Sequence, residues 1–236
     1  MAGFQVAIDG PAGSGKSTIS KLVADRLKMT HIDTGAMYRA VTLIAIEKGI
    51  DLNEESQYDF LETIKISYHD DHIYVDDRNV EDEIRGKEVT KNVSLVSSFP
   101  YVRRKMVHLQ KIAADRGNVV MDGRDIGTVV MPNADIKIFL NAKVEERAKR
   151  RHQEKLKKGH DVNFEKIVEE LVIRDIKDST RKESPLKKAD DAIEIDTTHL
   201  TIDETVEKII GLILSAKGEA KWVILFIQNK DKLLKA

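Results

Sequence analysis

The chain has 236 residues, no cysteine and a formal net charge of -1. Disulfides, thiol catalysis and zinc–thiolate sites are thereby excluded, and there is no bulk basicity for holding a nucleic-acid polymer. With 41% hydrophobic and 33% charged residues it reads as one medium α/β domain with room for a small insertion.

The start, MAGFQVAID, has neither a basic segment nor a long apolar one, so no signal peptide is expected. No apolar run approaches the roughly 18 residues that span a bilayer. The expected compartment is the cytoplasm, with no membrane partner. FQVAI (4–8) is the first expected strand, and it feeds GPAGSGKS (10–17), which fits G-x-x-x-x-G-K-[ST] at every fixed position. In such a loop the residues Gly10, Pro11, Ala12, Gly13, Ser14 and Gly15 turn successive backbone N–H groups inward onto phosphate oxygens. Lys16 reaches the β- and γ-phosphates, and a hydroxyl at Ser17 can ligate Mg2+. Ile19, Leu22, Val23 and Leu27 recur at helical spacing, so a helix follows and adds its positive N-terminus to the anion site.

Further along, THI (30–32), NVVM (118–121), IKIFL (136–140) and AIEI (192–195) are expected strands alternating with helical segments, the mark of a parallel sheet. DTGAMYR (33–39) follows the second strand and ends in Arg39. From 63 to 97 the alternation has period 2, setting Ile66 and Tyr68 against Ile73 and Val75, which predicts a small antiparallel ribbon. Pro100 opens a helix carried by Val102, Met106, Leu109 and Ala113. DGRD (122–125) places Asp122 at a strand end, where a carboxylate holds magnesium through water. Arg147, Arg150 and Arg151 share one helical segment. Arg174 and Arg181, seven apart with Asp178 between, are expected on one helix face. Thr201 and Glu204 form a capping box for a last helix.

The histidines give less. His69 and His72 flank a turn without metal-site spacing, and His31, His108, His152, His160 and His199 form no cluster. In the tail, WVILFI (222–227) is β-prone and uncharged; an edge strand and a loose, aggregation-prone end both fit it.

A phosphate loop alone does not name a reaction. The arginines facing it do more: transfer between two nucleotides gathers about four phosphates in one cleft, and guanidinium groups answer that charge with planar paired donors. A basic lid that excludes water favours transfer over hydrolysis.

IDGPAGSGKST, DTGAMYRA, SSFPYVR, DGRDIGTVV and RDIKDSTR, in that order, resemble the bacterial cytidylate kinases, P-loop nucleoside monophosphate kinases, over roughly residues 1–217. The resemblance implies a three-layer α/β fold with a five-stranded parallel sheet. It divides the chain into a core (1–62 and 98–217), an inserted monophosphate-binding β subdomain (63–97) and a helical lid at about 147–164. The tail, 218–236, has no counterpart. The implied reaction moves the γ-phosphoryl of ATP, with Mg2+, to CMP or dCMP. By position, Ser94, Arg103 and Asp125 match cytosine contacts, and Arg174 and Asp178 ribose contacts. Arg39, Arg124 and Arg181 match monophosphate contacts. Lys16, Arg124, Arg147 and Arg151 match the groups that act on the moving phosphoryl, and Thr34 lies beside the acceptor. The metal hydroxyl stays open between Ser17 and Thr18. Cytosine offers N3 and O2 as acceptors and N4 as donor, a pattern that an arginine, a carboxylate and a serine complement; each mismatch with uracil discriminates roughly 5- to 150-fold.

Two rivals remain at this point. A GTPase switch needs N-K-x-D, but the tail's Asn229-Lys230-Asp231 puts the aspartate one residue early. A kinase for another small acceptor, such as shikimate, has no use for a base-binding insert. A monomer is expected.

Overall fold

A computed structural model describes residues 3–69, 72–157, 159 and 162–218. Strands β1 (Gln5–Asp9), β2 (Thr30–Asp33), β6 (Val119–Gly123), β7 (Ile136–Asn141) and β8 (Ile193–Asp196) form one parallel sheet in the order β2-β6-β1-β7-β8. All five strands coincide with the apolar runs that predict them. Val6, Ala7 and Ile8 are wholly buried in succession, as expected of a strand covered on both faces.

Helices supply both covers. On one face α1 (Lys16–Leu27) and α7 (Ile202–Ala216) pack Ile19, Val23, Ile209 and Ile213 against Val6, Ile8 and Ile138. The predicted capping box opens α7, with the Thr201 side chain bonding the Glu204 amide and the Glu204 carboxylate answering the Thr201 N–H. On the other face α4 (Pro100–Ala114) lies over Ala7, Ile32 and Met121. The loop between β1 and α1 emerges at the carboxyl ends of the strands, where β1 has β6 on one side and β7 on the other. Ligands bind at such switch points in open parallel sheets.

The insertion begins as predicted. Strands β3 (Ile66–His69), β4 (His72–Val75) and β5 (Arg78–Asn79) make an antiparallel sheet whose register pairs Ile66 with Val75 and Tyr68 with Ile73. The ribbon does not run to 97, however. Val89, Val93 and Val96 recur at helical spacing, and Lys87–Val96 is helix α3. Its apolar face joins Ile73, Val75 and Ile84 and helix α2 (Thr34–Glu47) in one continuous core, so the insertion is anchored to α2 instead of standing apart.

Two helices, α5 (Val144–Lys157) and α6 (Phe164–Thr180), pack together through Ala148, Ile167 and Leu171 and rest on Ala12 of the loop. Arg181 departs from expectation. Helix α6 ends at Thr180 and Arg181 is extended (φ -60°, ψ 144°), so the Arg174–Arg181 spacing does not put them on one helix face. Among the described residues no helix is long and apolar enough to cross a membrane. The tail runs WVILFI and NKDK lie outside the described residues.

Candidate active site

Gly10 and Gly15 set the loop's path. A Cβ on Gly10 would stand 2.0 Å from the Leu140 carbonyl oxygen, so only glycine lets β1 pass β7 there. Gly15 is left-handed (φ 87°) at the N-cap of α1 and offers no side chain to it, which leaves the first helical amides facing the loop's interior. Lys16 is buried, its Nζ donating to the Pro11 carbonyl (2.8 Å) and the Ser14 hydroxyl (3.3 Å). Burial, and then the charge of Arg124, hold its pKa well below the usual lysine range.

Beside the loop, the Ser17 hydroxyl donates to Asp122 Oδ2 (2.8 Å), and Thr34 Oγ donates to the Asp122 carbonyl (2.7 Å). The other carboxylate oxygen, Oδ1, meets His31 Nε2 at 2.8 Å. Burial pulls the His31 pKa down, but the Asp122 carboxylate outweighs it and the net direction is up. Ser17 Oγ and the Asp122 carboxylate are hard oxygen donors in contact, a set that suits Mg2+ held mostly by phosphates and water. Among the described residues no three His, Cys, Asp or Glu side chains gather as a metal cluster of their own.

Opposite lies a buried cluster of guanidinium groups held by two aspartates. Arg124 Nε donates to Asp178 Oδ2 (2.9 Å), and Arg174 and Arg181 stand 3.9 and 3.8 Å from the same carboxylate. Arg181 Nη2 is also 3.6 Å from Asp125, whose other oxygen accepts from Arg103 Nη2 at 2.6 Å. Burial and the neighbouring Arg124 push Arg174 down to about 9. Asp178 goes the other way: burial opposes ionisation, yet Arg124, Arg174 and Arg181 together lower its pKa. Arg39 Nη1 reaches Thr90 Oγ of the insertion (2.9 Å), and its charge interacts with those of Arg124 and Arg151. Arg151 has no hydrogen bond or ion pair among the described residues, while its field reaches both Arg39 and Arg174. Lys16 feels Arg124 and Arg174 in turn, so loop and cluster lie within electrostatic reach of each other. Three polar atoms of that cluster, Arg103 Nε, Arg174 Nε and Arg181 Nη2, are buried without a hydrogen-bond partner, as is Ser94 Oγ on α3. Buried donors without a hydrogen bond cost about 1–3 kcal/mol each, and a polar ligand would satisfy them.

Arg147 differs from the rest. Its Nη1 donates to the Ala12 carbonyl (2.9 Å) and pairs with Asp175 (2.6 Å), and Nε donates to the Ala142 carbonyl (2.9 Å). Asp175 accepts from the Ala12 amide in return, so the pair grips the crown of the loop. Arg150, by contrast, bonds Thr197 after β8 and stays outside the cluster.

The pattern described as cytidylate kinase matches residues 6–215, nearly the whole described chain. The chain belongs to the cytidylate kinase family. It is accordingly a nucleoside monophosphate kinase, a transferase that binds nucleotides. The cytidylate kinase of Acholeplasma laidlawii is 66% identical over 218 residues, covering 92% of this chain and 98% of that one. The cytidylate kinase of Bacillus licheniformis is 51% identical over 216 residues, at 88% and 95% coverage. A shikimate kinase from Acinetobacter baumannii overlays with a TM-score of 0.43 and 18% identity over 91% and 95% of the two chains, too loose to weigh on fold or reaction.

Three polar residues at this candidate site escape a reading of the sequence: His31, Asp175 and Asp9. Asp9 ends β1, one residue before the loop. Its carboxylate accepts the amides of Ile126 (2.9 Å) and Gly127 (2.8 Å), which follow Asp125. It thus ties the donor loop to the turn that carries Asp125. Burial raises its pKa from 3.8 to about 6, against the pull of those amides; Asp125 adds to the rise and Lys16 subtracts. A carboxyl whose folded pKa lies above its unfolded value stabilises in its protonated form. That contribution is full below about pH 4 and is lost as pH rises through about 6. In urea unfolding, the stability of the wild type minus that of Asp9→Asn is therefore expected to fall by about 3 kcal/mol between pH 4 and 7. A pH-independent difference contradicts the assignment.

Proposed function

We propose that this kinase transfers the γ-phosphoryl of ATP directly to the phosphate of CMP or dCMP, giving ADP and CDP or dCDP. The donor's phosphates lie along the amides of Gly13, Ser14, Gly15, Lys16, Ser17 and Thr18, within the loop that begins at Gly10, Pro11 and Ala12. Lys16 contacts the β- and γ-phosphates. The acceptor phosphate is held by Arg39, Arg124 and Arg181, its ribose by Arg174 and Asp178, and its base by Ser94, Arg103 and Asp125 near Thr34. Ser17, with Asp122 through water, would hold Mg2+, which would supply positive charge to the triphosphate. The preference for Ser17 over Thr18 rests on the Ser17–Asp122 contact.

No side chain need act as a base, because the acceptor phosphate is already an anionic nucleophile. The protein's contribution is positioning and charge neutralisation. As transfer begins, Lys16 exchanges its bonds to Pro11 and Ser14 for phosphate oxygens. Arg147 keeps the loop's crown rigid while Arg151 turns onto the transferring group. The single observation that carries this reading is the buried guanidinium cluster within electrostatic reach of Lys16, with buried donors at Arg103, Arg174 and Arg181 that make no hydrogen bond. Two carboxylates, Asp178 and Asp125, face four guanidinium groups, an excess of positive charge that suits an anionic ligand.

A coupled ADP-release assay with CMP, dCMP, UMP, AMP and shikimate as acceptors tests the proposal. CMP and dCMP are expected to stimulate release and shikimate not to. Equal stimulation by UMP overturns the assignment of the base contacts, and stimulation by none overturns the transferase reading.

A further inference from the structure

The Asp122 carboxylate is held from two sides, by the Ser17 hydroxyl on Oδ2 and by His31 on Oδ1, both at 2.8 Å. Strand pairing explains how His31 arrives there. In the parallel register of β2 and β6, His31 lies opposite Val120 and Asp33 opposite Asp122. Side chains two apart on a strand share a face, so His31 and Asp122 point the same way and the ring reaches diagonally forward to the carboxylate. The His31 side chain is 11% exposed and that of Asp122 3%, so neither is free to swing.

We propose that His31 is a positioning residue that aims the Asp122 carboxylate at the magnesium–triphosphate. This rests on the reading above that Ser17 and Asp122 face the metal. An ionised carboxylate only accepts, so His31 Nε2 supplies the N–H. Ser17 is itself assigned to the metal, so its hydroxyl would be shared between the metal and Asp122. His31 is then the side chain that keeps the carboxylate's rotation fixed. The residue type suits the task. An imidazole held by the strand gives Oδ1 a directed N–H donor at a fixed angle, which a long flexible lysine would not. An apolar residue would fill the half-buried strand position equally well but leave Oδ1 unbonded.

The test compares wild type, H31L and H31Q by calorimetric titration with ATP, once in chelator and once in excess Mg2+, with thermal unfolding recorded for each. Wild type is expected to bind ATP more tightly with Mg2+. In H31L this metal-dependent gain should shrink by roughly 10- to 100-fold while metal-free binding stays put, and H31Q, which restores an N–H donor, should regain most of it. If H31L is not folded, H31Q decides: a retained gain supports the proposal, and a lost one overturns it. An undiminished gain in H31L overturns it, as does equal loss with and without metal, the signature of a purely structural role. If wild type shows no metal-dependent gain, the metal reading of Ser17 and Asp122 falls, and this inference falls with it.

Discussion

Lys16→Met is expected to lower turnover by roughly 10³-fold while leaving stability within about 1 kcal/mol of wild type. The two halves of that expectation come from one fact. The ammonium is buried, and its pKa is held far down by burial and by Arg124, so the folded protein bears a charge it would be more stable without. Methionine matches the length and packs in the same space, which offsets the donors lost to Pro11 and Ser14. What it cannot do is place positive charge on the β- and γ-oxygens as negative charge moves toward the bridging oxygen. Initial rates with saturating ATP and CMP, set beside urea unfolding, check both halves. Near-normal turnover contradicts the role of Lys16, and a collapse of stability contradicts the account of its burial.

The second large effect concerns Arg103 and Asp125. The guanidinium is 1% exposed and pairs with Asp125 at 2.6 Å, close to the carboxylate of Asp9. Removing one partner of such a pair strands a buried charge, so Arg103→Met should destabilise the protein by about 3–5 kcal/mol. Removing both is different: the double variant R103M/D125L should regain part of that stability, since neither member of the pair is stranded, although Arg181 is left with Asp178 alone. Recognition should not return with it. In both variants the preference for CMP over UMP is expected to vanish, measured as a ratio of kcat/KM. A double variant that recovers stability and also keeps its preference contradicts the placement of the base between Ser94, Arg103 and Asp125. One that stays as unstable as R103M contradicts the ion-pair account.

Much of the fold is legible because its signals are local. The five strands are short apolar runs, the phosphate loop is a contiguous motif, and the capping box of α7 is four residues long. The ribbon's register follows from period-2 alternation in Ile66–Val75. Local signals also mislead where they stop early. The same alternation suggests strand as far as 97, but Val89, Val93 and Val96 obey the helical period and take α3 onto α2. Arg174 and Arg181 do meet, though not by helical phase: the chain leaves α6 at Thr180, and Arg181 reaches Asp178 from beyond the helix end.

The contacts that escape the sequence are those that only sheet pairing creates. His31 and Asp122 are 91 residues apart, and Asp9 and Gly127 are 118 apart. Nothing near His31 distinguishes it from an ordinary strand histidine until β2 and β6 are placed in register. Arg147 is a related case. Its place in a basic helix suggests a group pointed at phosphate, whereas its bonds to Ala12, Ala142 and Asp175 are set by how α5 packs on the loop.

The central proposal is that two nucleotides lie phosphate to phosphate in one cleft, with no water between donor and acceptor. Adenosine and cytidine joined through a single chain of five phosphates should therefore occupy both halves at once. Calorimetric titration is expected to give one equivalent bound, roughly 10²- to 10⁴-fold tighter than ATP or CMP alone, with neither able to bind afterwards. Binding no tighter than ATP, with CMP still able to enter beside it, would contradict the shared cleft.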